Sequence, residues 1–336
     1  MLHADLVAGF PTAGVPARAH RVSKTGAPLW PGAEHRILVI LVGQPPTTKA
    51  VAHSSISVTT SPARKRFDLR RLYTAAILIP AVYIIIAHLA PWALTLLLIT
   101  VGSIALVELY HICFQSRFNR LVVGVGLVVF VLVVARDHLS LALVNLLVAS
   151  VLVVSIAVSI IFSQADSRWK GILIILFGVL YVGFPLSTVV STRSLSDGQF
   201  LVLFLAVVTW ASDTGAYYAG TLWGKHPLLP SVSPKKTVEG VLGGLALAVG
   251  AALLAQWWFA SQLSQSDALI LGMLLTATGL LGDLFESAIK RRTGVKDSGG
   301  ILPGHGGMLD RLDSLLFTAP TFYYYVAYIR GLSPPL

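Results

Sequence analysis

Nine apolar runs follow one another along the chain, separated by short segments that hold most of the charged residues. Several of the runs approach the roughly 20 residues that a helix needs to cross a bilayer. They are apolar on all sides and show no two-residue alternation, so we expect helices rather than the strands of a membrane barrel. The pattern predicts an all-α, polytopic integral membrane protein with about nine transmembrane helices. The runs occupy residues 72–90, 92–112, 121–135, 140–163, 171–190, 199–219, 238–259, 267–289 and 313–330.

The first 63 residues have a different character and are rich in Ala, Pro, Gly, Ser and Thr. Their best apolar stretch, residues 37–43, would reach only about 10 Å as a helix, which is too short to cross a membrane. We expect residues 1–63 to form a disordered extension; upstream sequence from a misassigned start and a transit peptide are the alternatives. Residues 64–336 are expected to form one transmembrane domain, with N-terminal helices in 72–190 and the polar motifs in 199–330.

The distribution of Lys and Arg predicts the orientation of the helices. The formal net charge of +10 would suggest nucleic acid binding in a soluble protein. If the N-terminal side lies in the cytoplasm, the inside segments hold 17 Lys and Arg and the outside segments hold 3. Cytoplasmic loops carry such an excess, so we predict an N-inside, C-outside topology and no nucleic acid partner. The single cysteine, Cys113, allows neither an internal disulfide nor a cysteine metal cluster.

Carboxylates gather at the cytoplasmic ends of the later runs, where a buried charge needs a partner. Asp310 and Asp313 are three residues apart, so they share one face if a helix begins there. Together with Asp213 and Asp283 they offer the oxygen ligands that Mg²⁺ prefers, and we predict a metal site formed by these four residues. Capping of a helix N-terminus is the alternative for the last two. Glu108, which stands alone, is interpreted as a helix-end residue facing headgroup water.

A polar stretch, KDSGGILPGHGGMLDRLDS at residues 296–314, joins the last two runs. Its glycines allow backbone N–H groups to approach an anion closely, and the cations in and around it supply countercharge. No P-loop motif is present. His305 has two open interpretations, a phosphate or proton-transfer residue and a structural hydrogen-bonding residue. We predict that phosphate is bound by Lys290, Arg291, Lys296, His305, Gly306, Gly307 and Arg311.

A second polar block, SPKKTVEG at residues 233–240, leads into the run at 238–259. Ser233, Lys236 and Thr237 offer hydroxyl and ammonium groups that can bind phosphate. The alternative for the lysines is the ordinary excess of positive charge in cytoplasmic loops. Because the lysines stand between hydroxyl residues and a carboxylate, we favour further phosphate contacts.

Two groups of these residues resemble one protein family, the phosphatidate cytidylyltransferases, also called CDP-diacylglycerol synthases. The block at 213–217 together with SPKKTVEG is similar to one characteristic region of that family. The long C-terminal signature of the family resembles Ser287, Lys290, Arg291, Lys296, Asp297, Pro303, His305, Gly306, Gly307, Asp310, Arg311 and Asp313.

The resemblance implies a reaction in which phosphatidate and CTP give CDP-diacylglycerol and pyrophosphate, with Mg²⁺ and a monovalent cation such as K⁺ as cofactors. It implies a homodimer embedded in membrane lipid, in the bacterial inner membrane, with an active site that faces the cytoplasm. It also implies that residues 64–336 form the cytidylyltransferase domain, with catalytic helices and loops in 199–330. The catalytic residues it implies are Asp283, Asp310, Asp313, Lys296 and Arg311.

Other activities are compatible with the same composition. A CTP-dependent lipid kinase, or a cytidylyltransferase for another lipid phosphate, would use a similar set of carboxylates and cations. An ion-coupled secondary transporter is the alternative from another class, since intramembrane carboxylates often mark ion pathways. A transporter predicts carboxylates near the bilayer midplane and repeated halves, whereas here the carboxylates gather at one face.

Overall fold

The computed structural model describes residues 80–114, 120–139, 165–295, 297–299 and 306–333. These residues belong to one compact unit, Arg66–Leu336. The predicted run at 140–163, most of the run at 72–90 and the extension 1–63 lie outside the described residues. Within the described ranges the chain is mainly helical, in agreement with the predicted helical class.

The helices follow the apolar runs closely. Helical residues 80–87 precede α1, which begins at Pro91, where the absence of a backbone N–H costs no hydrogen bond. The helices are α1 (Pro91–Phe114), α2 (Arg120–Val134), α3 (Ala165–Gly178), α4 (Phe184–Arg193), α5 (Gly198–Trp223), α6 (Val238–Trp258), α7 (Gln265–Arg292) and α8 (Leu309–Tyr324). Five described segments are long and apolar enough to cross a membrane, namely Pro91–Cys113, Leu173–Arg193, Gly198–Trp223, Val238–Trp258 and Gln265–Arg292. They coincide with five predicted runs; the number nine and the orientation stay predictions.

Tryptophans mark both ends of the α5–α6 pair. Trp223 ends α5, and Trp257 and Trp258 end α6; all three side chains are strongly exposed. Tryptophan side chains favour the interface between lipid and water. Helix α6 has 21 residues, and a helix of that length extends about 30 Å, the thickness of a hydrocarbon core. These two helices therefore have the length and the interface residues of membrane-spanning helices.

A short β-hairpin follows α5 and departs from the all-α prediction. Strands β1 (Pro227–Leu229) and β2 (Ser233–Thr237) pair in antiparallel fashion. Glu239, in the first turn of α6, accepts hydrogen bonds from the Lys225 and His226 N–H groups at 3.1 and 3.2 Å and also contacts the His226 ring. The hairpin is thereby fixed to the start of α6, and it carries the lysines of the SPKKTVEG block.

Glycines allow α5 and α6 to pack backbone against backbone. A Cβ at Gly215 would lie 2.5 Å from the Gly243 carbonyl oxygen, and one at Gly244 would lie 2.9 Å from the Ser212 carbonyl oxygen. Small residues at membrane helix crossings permit this close approach. The two antiparallel helices and the hairpin between them form one packed layer beside α7.

One predicted run, 171–190, contains a π-helical turn, Val179–Gly183, between α3 and α4. Pro185 follows this turn and cannot donate a backbone hydrogen bond, which accounts for a local change in the helical ladder. Tyr181, within the turn, packs on Phe285 of α7 and Phe317 of α8 with ring centroids 5.3 and 6.4 Å away. The turn therefore joins the N-terminal helices to the helices that carry the later carboxylates.

Helices α7 and α8 lie antiparallel, and side-chain contacts connect them near the first residues of α7. Ser264 and Asp267 form a capping box. Asp267 Oδ1 also accepts a hydrogen bond from the Tyr325 hydroxyl at 2.8 Å, and its Oδ2 pairs with Arg330 Nε at 2.9 Å. Both partners lie just beyond α8, so this contact, which we call the α7–α8 clasp, fixes the alignment of the two helices.

Candidate active site

The carboxylates predicted as metal ligands lie on three helices that meet near the C-terminal end of α7. Gly282 and Asp313 form the crossing of α7 and α8, because a Cβ at Gly282 would collide with the Asp313 carbonyl oxygen. Helix α5 joins at Asp213, whose Oδ1 accepts a hydrogen bond from the Ser314 hydroxyl at 3.4 Å. The crossing therefore brings side chains separated by about 100 residues of sequence into one region.

Asp213, Asp283 and Asp313, which we call the carboxylate cluster, lie close enough to interact electrostatically with one another. Each comes from a different helix, α5, α7 and α8 respectively. Like charges that converge in this way repel unless a cation offsets them. A positive charge close to the three carboxylates would therefore stabilise the cluster.

Lys236 supplies part of this charge. Its Nζ lies 2.5 Å from Asp283 Oδ2, and the two side chains are 20% and 35% exposed. The Ser287 hydroxyl donates to the other oxygen of Asp283 at 3.4 Å. Strand β2 thus places a lysine from the SPKKTVEG block beside the carboxylate cluster.

Asp310 lies in a second set of contacts, although it shares α8 with Asp313. Lys290 Nζ is 2.7 Å from Asp310 Oδ1 and 3.3 Å from Glu286 Oε1. Glu286 is 1% exposed, and the other two side chains are 14% and 18% exposed. One lysine therefore bridges two largely buried carboxyl groups, and its loss would leave both without their charged partner.

Backbone N–H groups complete the surroundings of Asp310. Its Oδ2 accepts hydrogen bonds from Gly307 N at 3.2 Å and from Ser298 N at 3.4 Å. Gly306 has a φ of +79°, in the left-handed region that glycine tolerates, and a Cβ there would lie 3.1 Å from Asp310 Oδ2. We call the connection from α7 to α8 the Gly-rich loop. Glycine at position 306 lets this loop bring backbone N–H donors to Asp310.

The other predicted phosphate-binding residues take several positions. Arg291 is exposed and its Nε donates to the Val232 carbonyl oxygen at 3.5 Å, which links α7 to the hairpin turn. The Thr237 hydroxyl accepts from Gly240 N at 3.2 Å and caps α6. Ser233 begins β2, and Arg311 is exposed in the first turn of α8. Lys296 and His305 lie outside the described residues.

The donor set fits a hard cation such as Mg²⁺, because oxygen atoms of carboxylates are the ligands it prefers. Within the described part of the chain, however, no group of three or more His, Cys, Asp or Glu side chains already has metal-binding spacing. The structure separates the four predicted ligands into the carboxylate cluster and Asp310. Lys236 occupies the position beside Asp283 where a cation would be attracted.

These residues lie in a part of the chain whose sequence matches a known family. The family model described as "Cytidylyltransferase family" matches residues 69–329, which include every site residue described above. The chain belongs to the cytidylyltransferase family.

Several curated relatives of this chain carry a more specific name. A phosphatidate cytidylyltransferase of Bacillus subtilis is 31% identical over 265 residues, 77% of this chain and 98% of the relative. One of Staphylococcus saprophyticus is 46% identical over 145 residues, 43% of this chain and 55% of the relative. An Escherichia coli relative, the uncharacterized protein YnbB, is 45% identical over 137 residues, 41% of this chain and 46% of the relative. The chain thus matches about half the length of the staphylococcal relative and almost all of the Bacillus one.

Two buried carboxylates, Glu286 and Glu108, were not predicted from the sequence to belong to the site. Glu286, one turn after Asp283, was not among the predicted site residues, yet it is the most buried carboxylate beside Lys290. Glu108 was interpreted as facing headgroup water, but it is 3% exposed, so that interpretation is wrong. The spacing of Glu286 and Lys290, i and i+4 on α7, could have indicated the first pair; no local signal indicates the second.

The close packing of α7 on α8 at Gly282 can be tested by substitution. Gly282→Ala would place a methyl group against the Asp313 backbone, and we expect a loss of about 1–3 kcal/mol of stability, typical of overpacking, together with reduced turnover. Gly250→Ala on α6 is the matched control, because a Cβ there meets nothing within 4 Å. The Tm in detergent and the rate of turnover measure both effects; equal behaviour of the two variants would contradict a tight crossing at Gly282.

Proposed function

We propose that the protein transfers the cytidylyl group of CTP to phosphatidate, giving CDP-diacylglycerol and pyrophosphate in phospholipid biosynthesis. The observation that carries the proposal is the carboxylate cluster with Lys236 beside it, inside a region that matches the cytidylyltransferase family. The Bacillus relative named for this activity aligns over 98% of its length. Membrane-spanning helices supply the setting that a lipid substrate requires.

The reaction asks the protein to bring two anions together and to offset their charge. A phosphate oxygen of phosphatidate forms a bond to the α-phosphorus of CTP, while the bond from that phosphorus to the bridging oxygen breaks. The electron pair of that bond leaves with pyrophosphate. The nucleophile is already an anion near neutral pH, so no covalent protein intermediate or strong general base is needed. Lys236 and Lys290 are two described cations placed to offset this charge.

Asp213, Asp283 and Asp313 would hold Mg²⁺ in this proposal. When bound, Mg²⁺ would offset the charge on the transferred and leaving phosphates. Lys236 would then leave Asp283 and contact phosphate instead, which keeps the charge of the region balanced. Asp310, the fourth predicted ligand, acts with Lys290 and the backbone donors of the Gly-rich loop. A monovalent cation such as K⁺ is a further part of the proposal.

We propose that the site faces the cytoplasm, as the distribution of Lys and Arg along the chain predicts. Lys290 and Arg291 lie in the last turn of α7 and Lys236 contacts Asp283 nearby, whereas Asp267 lies at the opposite end of this helix. This supports N-inside, C-outside topology in a bacterial inner membrane, with CTP entering from the cytoplasm. We also propose a homodimer, as the family resemblance implies.

Labelled CTP tests the proposed reaction directly. Purified protein in detergent is incubated with phosphatidate, Mg²⁺ and CTP labelled at the α or the γ phosphate. We expect α label in the lipid product and γ label in pyrophosphate, with no turnover when Mg²⁺ is chelated. Label from the γ phosphate in lipid would indicate a CTP-dependent kinase instead. Absence of any Mg²⁺-dependent turnover would contradict both enzymes and favour a transporter.

A further inference from the structure

A buried carboxylate on α1 contacts both described flanks of the Gly-rich loop. Glu108 Oε2 accepts a hydrogen bond from Leu309 N at 2.9 Å and from the Ser298 hydroxyl at 3.3 Å. Leu309 is the first residue of α8, where a negative charge is favourable for the helix dipole. A residue from the N-terminal half of the domain therefore fixes a segment about 200 residues later in sequence.

The glycines of the two flanks leave room for this carboxylate. A Cβ at Gly299 would lie 2.5 Å from Glu108 Oε1, and a Cβ at Gly307 would lie 2.7 Å from Oε2 and would overlap the Ser298 hydroxyl. Real Cβ atoms do not approach other atoms so closely. Glycine at these positions is thus required by contact with Glu108, in addition to any approach of backbone donors to an anion.

The same two flanks supply the backbone donors to Asp310. Ser298 bonds Glu108 through its hydroxyl and Asp310 through its N–H, while Gly307 packs on Glu108 and donates its N–H to Asp310. Asp310 in turn pairs with Lys290. A continuous set of contacts therefore runs from Glu108, through the loop flanks, to the carboxylate and lysine of the site.

We propose that Glu108 is a positioning residue that sets the geometry of Asp310 and Lys290 by holding the loop flanks at 298–299 and 307–309 together. Its effect on catalysis rests on the proposed function, in which this loop and Lys290 bind the phosphates of CTP. Glu108 itself does not touch the reacting atoms. Its loss should therefore weaken the use of CTP while leaving the affinity for phosphatidate unchanged.

Two variants of Glu108 separate its hydrogen bonds from its charge. Glu108→Ala removes both accepted bonds, whereas Glu108→Gln keeps an oxygen that can accept from Leu309 N and the Ser298 hydroxyl. Thr95→Val is the matched control, because Thr95 is also buried on α1 and its hydroxyl bonds His138, at the other end of the helix. Ser298→Ala removes one of the two bonds from the loop side and serves if Glu108→Ala does not fold.

Amide hydrogen exchange and kinetics are measured on the full-length protein in detergent. We expect Glu108→Ala to speed exchange at 297–299 and 306–310 and to raise the KM for CTP by about 10- to 100-fold, the range typical of residues that orient a ligand-binding group. Glu108→Gln should stay close to wild type, Ser298→Ala should show a smaller effect in the same direction, and Thr95→Val should change neither measurement.

Unchanged loop exchange in both Glu108→Ala and Ser298→Ala would overturn the positioning role. So would a KM that rises equally for CTP and phosphatidate, since that pattern indicates a general loss of structure. If wild-type protein forms no CMP-bearing lipid, the proposed function is wrong, and hydrogen exchange alone still decides whether Glu108 holds the loop.

Discussion

Asp310→Asn should reduce turnover by about 100- to 1,000-fold, the effect typical of removing one preorganised electrostatic group from an active site. One oxygen of Asp310 accepts from Lys290, and the other accepts from two backbone N–H groups. An asparagine amide would turn its NH₂ group toward one of these donors in either orientation. Lys290 would also lose a negative partner, so both the loop and the lysine should lose their alignment.

The measurement is the rate of CMP transfer to phosphatidate by purified variants with matched Tm values in detergent. Asp197→Asn is the control, because Asp197 is exposed before α5 and has a φ of 55°, which asparagine tolerates. It should keep wild-type turnover. Near-normal activity of Asp310→Asn would remove Asp310 from the active site.

Substitutions on the two sides of the Lys236–Asp283 ion pair should change the Mg²⁺ requirement in opposite directions. Asp283→Asn weakens the carboxylate cluster, so we expect the Mg²⁺ concentration for half-maximal turnover to rise by about tenfold or more, with a large fall in kcat. Lys236→Met removes the cation that competes for Asp283, so the Mg²⁺ requirement should fall while the KM for CTP rises.

Mg²⁺ titrations at saturating CTP and phosphatidate measure these shifts. Asp137→Asn is the control for loss of a paired carboxylate, since Asp137 pairs with Arg136 in the turn after α2, outside the carboxylate cluster. If Asp283→Asn and Lys236→Met shift the Mg²⁺ requirement in the same direction, the lysine does not occupy a cation position and the proposed metal site is incorrect.

The pattern of apolar residues alone predicted the positions of the long described helices correctly. The run predicted at 238–259 corresponds to α6, Val238–Trp258, and the run at 267–289 lies inside α7, Gln265–Arg292. Length and hydropathy suffice here because the bilayer sets both. The β-hairpin was missed because strands of three and five residues are too short to show a period, and the hairpin depends on Glu239 for its position.

The sequence indicated which residues could belong to the candidate site, but only partly which of them would contact one another. Of the signature residues that the structure describes, Lys290 and Gly307 contact Asp310. Spacing within α8 could not show that Asp310 would face Lys290 while Asp313 lies at the crossing with α7. That division depends on the side chains of α7 and on the fold of the loop. Glu108 could not be found from sequence because its partners lie in a segment about 200 residues away. Lys296 and His305, outside the described residues, stay predictions.

The α7–α8 clasp decides which parts of the protein can move when substrates bind. Helices α7 and α8 are joined near one end by Asp267, Tyr325 and Arg330 and are in backbone contact near the other at Gly282. Two fixed points about 22 Å apart along α7 prevent the helices from tilting relative to each other. The distance between Asp283 and Asp313 should therefore change little when substrates bind. In the proposed reaction, we expect adjustment to CTP in the hairpin that carries Lys236, because the hairpin lies outside this rigid pair of helices.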